Sequence, residues 1–142
     1  MMVAMRKTLT VAILAALAAT ACGGITTPSS NKVDPISGTV QPNSFGLVHQ
    51  FTISGNGEVL ITVTAITPGN VFLGVLYGQL AGNTCSPIQQ AAVSSASLGR
   101  TAITSQAIIK GEYCVQLYDA AAAQGLAPMA VSQNYTATVS HP

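Results

Sequence analysis

From residue 47 to 53 the chain alternates, with Leu47, His49, Phe51 and Ile53 on one parity and Val48, Gln50 and Thr52 on the other. A repeat of two sends successive side chains to opposite faces of a strand, so the segment is predicted to be β. Ser54-Gly55-Asn56-Gly57-Glu58 follows. It is rich in residues that tolerate positive φ, which predicts a hairpin. Val59, Ile61, Val63 and Ala65 then alternate with Leu60, Thr62 and Thr64 as a second strand, ended by Pro68-Gly69-Asn70. Val71-Phe72-Leu73-Gly74-Val75-Leu76-Tyr77 is apolar on both parities, as expected of a central strand. Residues 91–109 carry many Ala and Ser and have room for one or two weaker strands. Gly111 to Tyr118 and Tyr135 to Ser140 are clear strands.

One segment has a helical composition: Ala120-Ala121-Ala122-Ala123-Gln124, with Asp119 placed to cap it. Gly125 and Pro128 confine it to a short insert between the last two strands. About seven or eight short strands at this spacing predict an all-β domain, an antiparallel β-sandwich. A small up-and-down barrel is the alternative.

The first residues follow a different pattern. Met5-Arg6-Lys7 precedes an apolar run over residues 9–19, and no further charge occurs until Lys32. The run is well short of the ~20 residues a bilayer-spanning helix needs. A basic head, a short apolar run and small residues form the three-part pattern of an export signal, here residues 1–21. The signal ends Leu17-Ala18-Ala19-Thr20-Ala21-Cys22. This resembles the lipobox of bacterial lipoproteins, which implies cleavage before Cys22 and a lipid anchor on its thiol. The resemblance departs at Ala19, where that family prefers leucine. Ala19-Thr20-Ala21 also fits ordinary secretory cleavage, which would release the chain as a soluble secreted protein. Residues 22–36 are polar and rich in Gly, Pro, Ser and Thr, and are read as a flexible tether. The sandwich is then expected over residues 37–142.

Composition narrows the function. Charged residues make up 6% of the 142-residue chain, against roughly 25% in ordinary soluble domains, while apolar residues make up 49%. Beyond the signal, Lys32, Arg100 and Lys110 stand against Asp34, Glu58, Glu112 and Asp119. No basic stripe exists for nucleic acid, which excludes it as a partner. There are three cysteines, and with Cys22 lipidated, Cys85 and Cys114 are left to pair in an oxidising compartment. Closing that loop would stabilise the fold by ~3–4 kcal/mol.

Ser37-Gly38-Thr39-Val40, His49 to Ile53, Val59 to Val63, Lys110-Gly111-Glu112-Tyr113-Cys114-Val115 and Tyr135 to Val139 together resemble the bacterial pre-peptidase C-terminal domain. The resemblance covers about residues 37–141 and implies a jelly-roll-like sandwich with an accessory or substrate-binding role beside a secreted enzyme. No such enzyme domain is expected within these 142 residues. Nor do they carry the carboxylate cluster with which some relatives bind calcium, so that property is not carried over.

Catalytic chemistry finds few residues to use. His49 and His141 are the only histidines. The first lies in strand alternation, which favours a hydrogen-bonded strand residue, and the second is penultimate. No G-x-S-x-G elbow, D-x-D-x-D loop or CxxC spacing occurs, so no catalytic residue, metal or cofactor is expected. A small hydrolase would need one histidine to meet an acid and a serine in a cleft. Tyr77, Tyr113, Tyr118 and Tyr135 are candidates for a sugar- or peptide-binding face. The expected role is a non-catalytic envelope lipoprotein domain held at a membrane through Cys22, structural or engaging a protein or polysaccharide. A carbohydrate- or peptide-binding accessory module is the second reading.

Overall fold

The structure, a computed structural model, describes residues 30–107 and 109–142. The signal, Cys22 and the first part of the expected tether lie outside the described residues. Eight strands occur among the described residues: β1 (Lys32–Val40), β2 (Phe45–Ile53), β3 (Gly57–Thr67), β4 (Leu73–Ala81), β5 (Thr84–Val93), β6 (Thr101–Ala107), β7 (Gly111–Asp119) and β8 (Gln133–His141). They form two four-stranded sheets, in the orders β1-β8-β3-β6 and β2-β7-β4-β5. All pairings are antiparallel. This order is that of a jelly roll, one form of the antiparallel β-sandwich that the alternation predicts.

The alternation becomes the core directly. Val59, Ile61 and Val63 of β3, Ile103 of β6 and Val139 of β8 pack against Leu73 and Val75 of β4 and Val115 and Leu117 of β7. Each such burial contributes roughly 1.5–3 kcal/mol over leaving the side chain in water. Strand β4 is buried from Leu73 through Gly78, because it is central in its sheet and covered on both faces. The expected short helical insert is present as a 3₁₀ turn, Ala122–Gln124.

Three sequence expectations are corrected. No hairpin joins β2 to β3: β2 pairs with β7, while β3 pairs with β6 and β8 in the opposite sheet. Turn chemistry sets how the chain reverses, but the partner is set by which sheet each strand's apolar face can complete. Of consecutive strands, only β4 and β5 pair. The tether is shorter than expected, because Lys32 to Ile36 belong to β1 and run in register with His141 to Ala137. Pro35 is tolerated there because β1 is an edge strand. Pro87 likewise sits in the edge strand β5, whose first half shows no clear pattern in the sequence. Finally, a register shift between Phe45 and Val48 turns Leu47 outward, 64% exposed, off the parity of Phe51.

Cys85 and Cys114 are bonded, with Cα atoms 5.7 Å apart. They come from β5 and β7, which are separated in the sheet by β4. The bridge therefore crosses a strand, and it does so at Gly78. A Cβ there would lie 2.0 Å from the Ser86 carbonyl oxygen and 3.2 Å from the Cys85 sulfur. Leu76, Val48, Leu80 and Tyr118 pack around the bridge as a small cluster separate from the main core. Such a disulfide is a mark of an oxidising environment, extracellular or periplasmic.

Candidate functional site

The strand order sorts the connections into two poles. Residues 41–44, 68–72, 94–100 and 120–132 gather at one end of the sandwich. Ser30, residues 54–56 and 82–83 and the C-terminal Pro142 gather at the other. The first pole carries the site with the most developed geometry.

Asp119, the last residue of β7, organises that pole. Its Oδ2 accepts the backbone N–H of Asn43 at 2.8 Å and of Met129 at 2.9 Å. Its Oδ1 accepts the Ala121 N–H at 3.1 Å, the local cap expected at the start of the Ala-rich insert. Burial opposes ionisation, but these three donors outweigh it and hold the carboxyl below its ordinary value. Gln133 does the same work from β8. It is buried, its Oε1 accepts from the Gly69 N–H at 2.8 Å, and its Nε2 donates to the Val131 carbonyl at 3.3 Å. Ser132 Oγ donates to Gln41 Oε1 across to the β1–β2 loop. Three loops are thus tied together by side chains rather than by sheet.

Between the β3–β4 and β7–β8 loops lies an open cavity of about 360 Å³. Val71, Phe72, Leu126, Met129 and Val131 supply its larger apolar side chains, Asn70 and Gln133 are its polar ones, and no charged side chain lines it. Leu126 and Val131 are 50% and 54% exposed and Phe72 39%, so the rim is apolar and wet. Loops positioned by a rigid scaffold are where binding residues concentrate. The volume falls within the range of small ligand pockets.

A polar cleft of about 650 Å³ occupies the other pole. There His141 Nε2 meets Asp34 Oδ2 at 3.0 Å, Lys32 Nζ meets Asp34 Oδ1 at 2.9 Å, and the Phe51 ring lies 4.8 Å from the imidazole. The hydrogen bond from His141, then that from Lys32, holds the Asp34 carboxyl below its ordinary value. Ser30 and Ser54 line the same cleft, so an acid, a histidine and serines do share a wall. The imidazole is poorly placed as a base, because Nε2 is held by Asp34 and Nδ1 faces the Pro142 carbonyl oxygen at 3.4 Å. His49 Nε2 is 2.7 Å from the Tyr135 hydroxyl between the sheets, the hydrogen-bonded strand role its parity suggests. Among the described residues, no three of the His, Cys, Asp and Glu side chains converge as metal ligands. No helix among them is long and apolar enough to cross a membrane.

The four tyrosines do not form a face. Tyr77, Tyr113 and Tyr135 are buried between the sheets, where the rings of Tyr77 and Tyr113 stack at 5.7 Å. Burial pushes the hydroxyls of Tyr77 and Tyr135 up to about 12. Their parity matches that of the core aliphatics, and a tyrosine whose hydroxyl finds a partner is as good a core residue as phenylalanine. Tyr118 alone is on the outer surface. Its ring lies over Gly74, whose Cβ would meet it at 2.1 Å, and its hydroxyl donates to Gln90 Oε1 at 2.9 Å. Phe45, 60% exposed, flanks it at 5.1 Å.

Sequence reading missed Asp119 as a staple of three loops, and it missed Gln133 and the cavity. The available signal was an acid closing a strand ahead of a long Ala/Gly/Pro connection. Its distant donors, Asn43 and Met129, are visible only in the fold.

The sequence matches no protein-family model, and no relative was found among curated proteins. Among solved structures, the fold is similar to the crystal structure of Yersinia pseudotuberculosis-derived mitogen (YPM). The TM-score is 0.54 at 12% identity, over 79% of this chain and 87% of that one. What the two share is the fold. The likeness spans most of both chains, so it concerns the sandwich as a whole rather than one sheet of it.

Proposed function

We propose that the chain is a non-catalytic, exported envelope lipoprotein domain that acts by interaction, anchored through Cys22 and engaging a partner at the loop pole. The observation that carries this reading is the apolar cavity, fixed by Asp119 and Gln133 at the pole opposite to where the chain enters at Ser30. A lipid anchor before Ser30 leaves that pole facing away from the membrane. The small-residue run before Cys22 and the extracytoplasmic disulfide support the same address. Engagement of both nitrogens of His141 favours a structural over a catalytic role for the polar cleft. An accessory role beside a secreted enzyme, implied by the likeness to the pre-peptidase C-terminal domain, belongs to this reading.

The second reading, a carbohydrate-binding module, is favoured by one feature: the Tyr118 ring laid flat on Gly74 beside exposed Phe45. A flat aromatic surface of this kind can stack a sugar ring.

Fractionation tests the anchor. The wild-type chain is expected in the detergent-soluble membrane fraction, and Cys22→Ser in the soluble fraction, because the acyl acceptor is gone. A soluble wild-type protein with an unmodified Cys22 would replace lipidation by ordinary secretion. Retention of a saccharide by the wild type but not by Tyr118→Ala would favour the second reading.

A further inference from the structure

We propose that the cavity at the loop pole receives one uncharged apolar side chain, aromatic or large aliphatic, presented by a partner polypeptide. The proposal rests on reading the domain as an interaction module.

Three observations lead to that occupant. The first is charge: no ionisable side chain lines the cavity, and its buried amide, Gln133, is spent on Gly69 and Val131. Asn70 at its edge is the other amide, so a fatty acid carboxylate or a phospholipid headgroup would find no cationic partner there, and a charge without a counter-charge against largely apolar walls is costly. The second is shape. A free small ligand is held by enclosure, with most of its surface buried. This cavity is open, and its rim residues Phe72, Leu126 and Val131 stay wet. Such a rim suits an anchor side chain whose own surroundings cover the edges, as in the centre of a protein–protein contact. The third is where the chain enters. The described chain starts at Ser30, on the opposite pole, and strands such as the nine-residue β1 and β8 make the sandwich roughly 30 Å long. Residues 22–29 reach at most about 30 Å when fully extended. A lipid on Cys22 therefore sets the bilayer beneath the other pole, and the cavity faces whatever approaches from beyond it.

Side-chain hydrogen bonds hold the loops that carry the walls. Asp119 holds both Asn43 and Met129, so the β7–β8 loop is fixed against the β1–β2 loop before any partner arrives. Met129, buried at the floor, supplies the adaptable surface that accepts either a ring or a branched chain.

The test is to pan a phage-displayed library of random linear peptides on the purified full chain bearing Cys22→Ser, with counter-selection on the same chain bearing Val131→Asp. Val131 is half exposed, so the added carboxylate leaves the core intact while placing charge at the rim. The enriched peptides are expected to share one aromatic or large aliphatic residue free of charged neighbours. Their synthetic versions should bind at least about tenfold more weakly to Val131→Asp and Leu126→Asp, and unchanged to Ile88→Asp on the exposed surface of β5. Circular dichroism of each variant separates lost binding from lost fold. Three outcomes would overturn the proposal: no enrichment, a charged consensus, or octanoate binding the cavity more tightly than any peptide. Failure here is distinguishable from failure of the anchor, since a membrane-bound chain that selects no peptide loses only this inference. A soluble wild type loses only the argument from the anchored pole.

Discussion

Gly78 and His49 show how single positions are constrained by neighbours far away in sequence. A methyl group at Gly78 would meet the Ser86 carbonyl at 2.0 Å, and that neighbour is backbone, held by the β4–β5 pairing and the adjacent disulfide. Gly78→Ala is expected to lower the unfolding free energy by about 1–3 kcal/mol in urea titrations. Gly55→Ala, with nothing within 4 Å of the added carbon, should stay within ~0.5 kcal/mol of wild type. His49 sets a pH dependence. Burial holds its pKa below the ordinary 6.5, so the folded state favours the neutral ring that meets the Tyr135 hydroxyl. The unfolded chain binds that proton more readily. Stability from this group is therefore full above about pH 6.5 and falls as the pH drops from there toward the folded value. Urea midpoints at pH 7.5 and 5.5 should differ more for wild type than for His49→Gln. An equal difference in the two proteins would assign the dependence elsewhere.

At the scale of the element, β1 is the strand whose existence depends most on its partner. Its sequence, with Pro35 and scattered polar residues, reads as linker, yet nine consecutive positions run in register with β8. Ile36 packs on the core, and Asp34 reaches His141. A chain that starts at Ser37, the boundary suggested by composition, would lose half of β1 and leave His141 without its carboxylate. We expect it to be at least about 2 kcal/mol less stable than a chain that starts at Gly23, through lost apolar burial and a lost charged hydrogen bond. Equal melting temperatures for the two would show that Lys32 to Ile36 contribute nothing.

For the whole molecule, the β5–β7 bridge joins strands that share no pairing and lies outside the main core. It closes a loop with a sequence separation of 29, which in the chain-entropy model contributes ~3–4 kcal/mol. Cys85→Ala/Cys114→Ala should lower the urea midpoint accordingly. Reductant should move the wild type toward the double variant and leave that variant unchanged. Because six of the seven strand connections cross between sheets, most pairing is long-range. Folding is expected on the slower, millisecond-to-second scale of β-sandwiches, measurable by stopped-flow refolding.

Much of this was legible in the residues themselves. Alternation at Val59, Ile61 and Val63 and the doubly apolar run around Leu73 to Tyr77 identify strands, because a two-residue repeat maps onto a two-faced sheet. Cys85 and Cys114, in a chain whose first residues are read as an export signal, predict a bridge, and the two are bonded. Other features were set only when the sheets closed. The Ser54 to Glu58 segment encodes a reversal but not the sheet its exit strand joins. Tyr77, Tyr113 and Tyr135 have the chemistry of either a binding face or a core, and only packing against Phe51 and His49 shows them to be core. The cavity is written nowhere in one stretch of chain. It arises because Asp119 and Gln133 satisfy backbone donors on loops up to 76 residues away, and contacts at that separation leave no local periodicity to read.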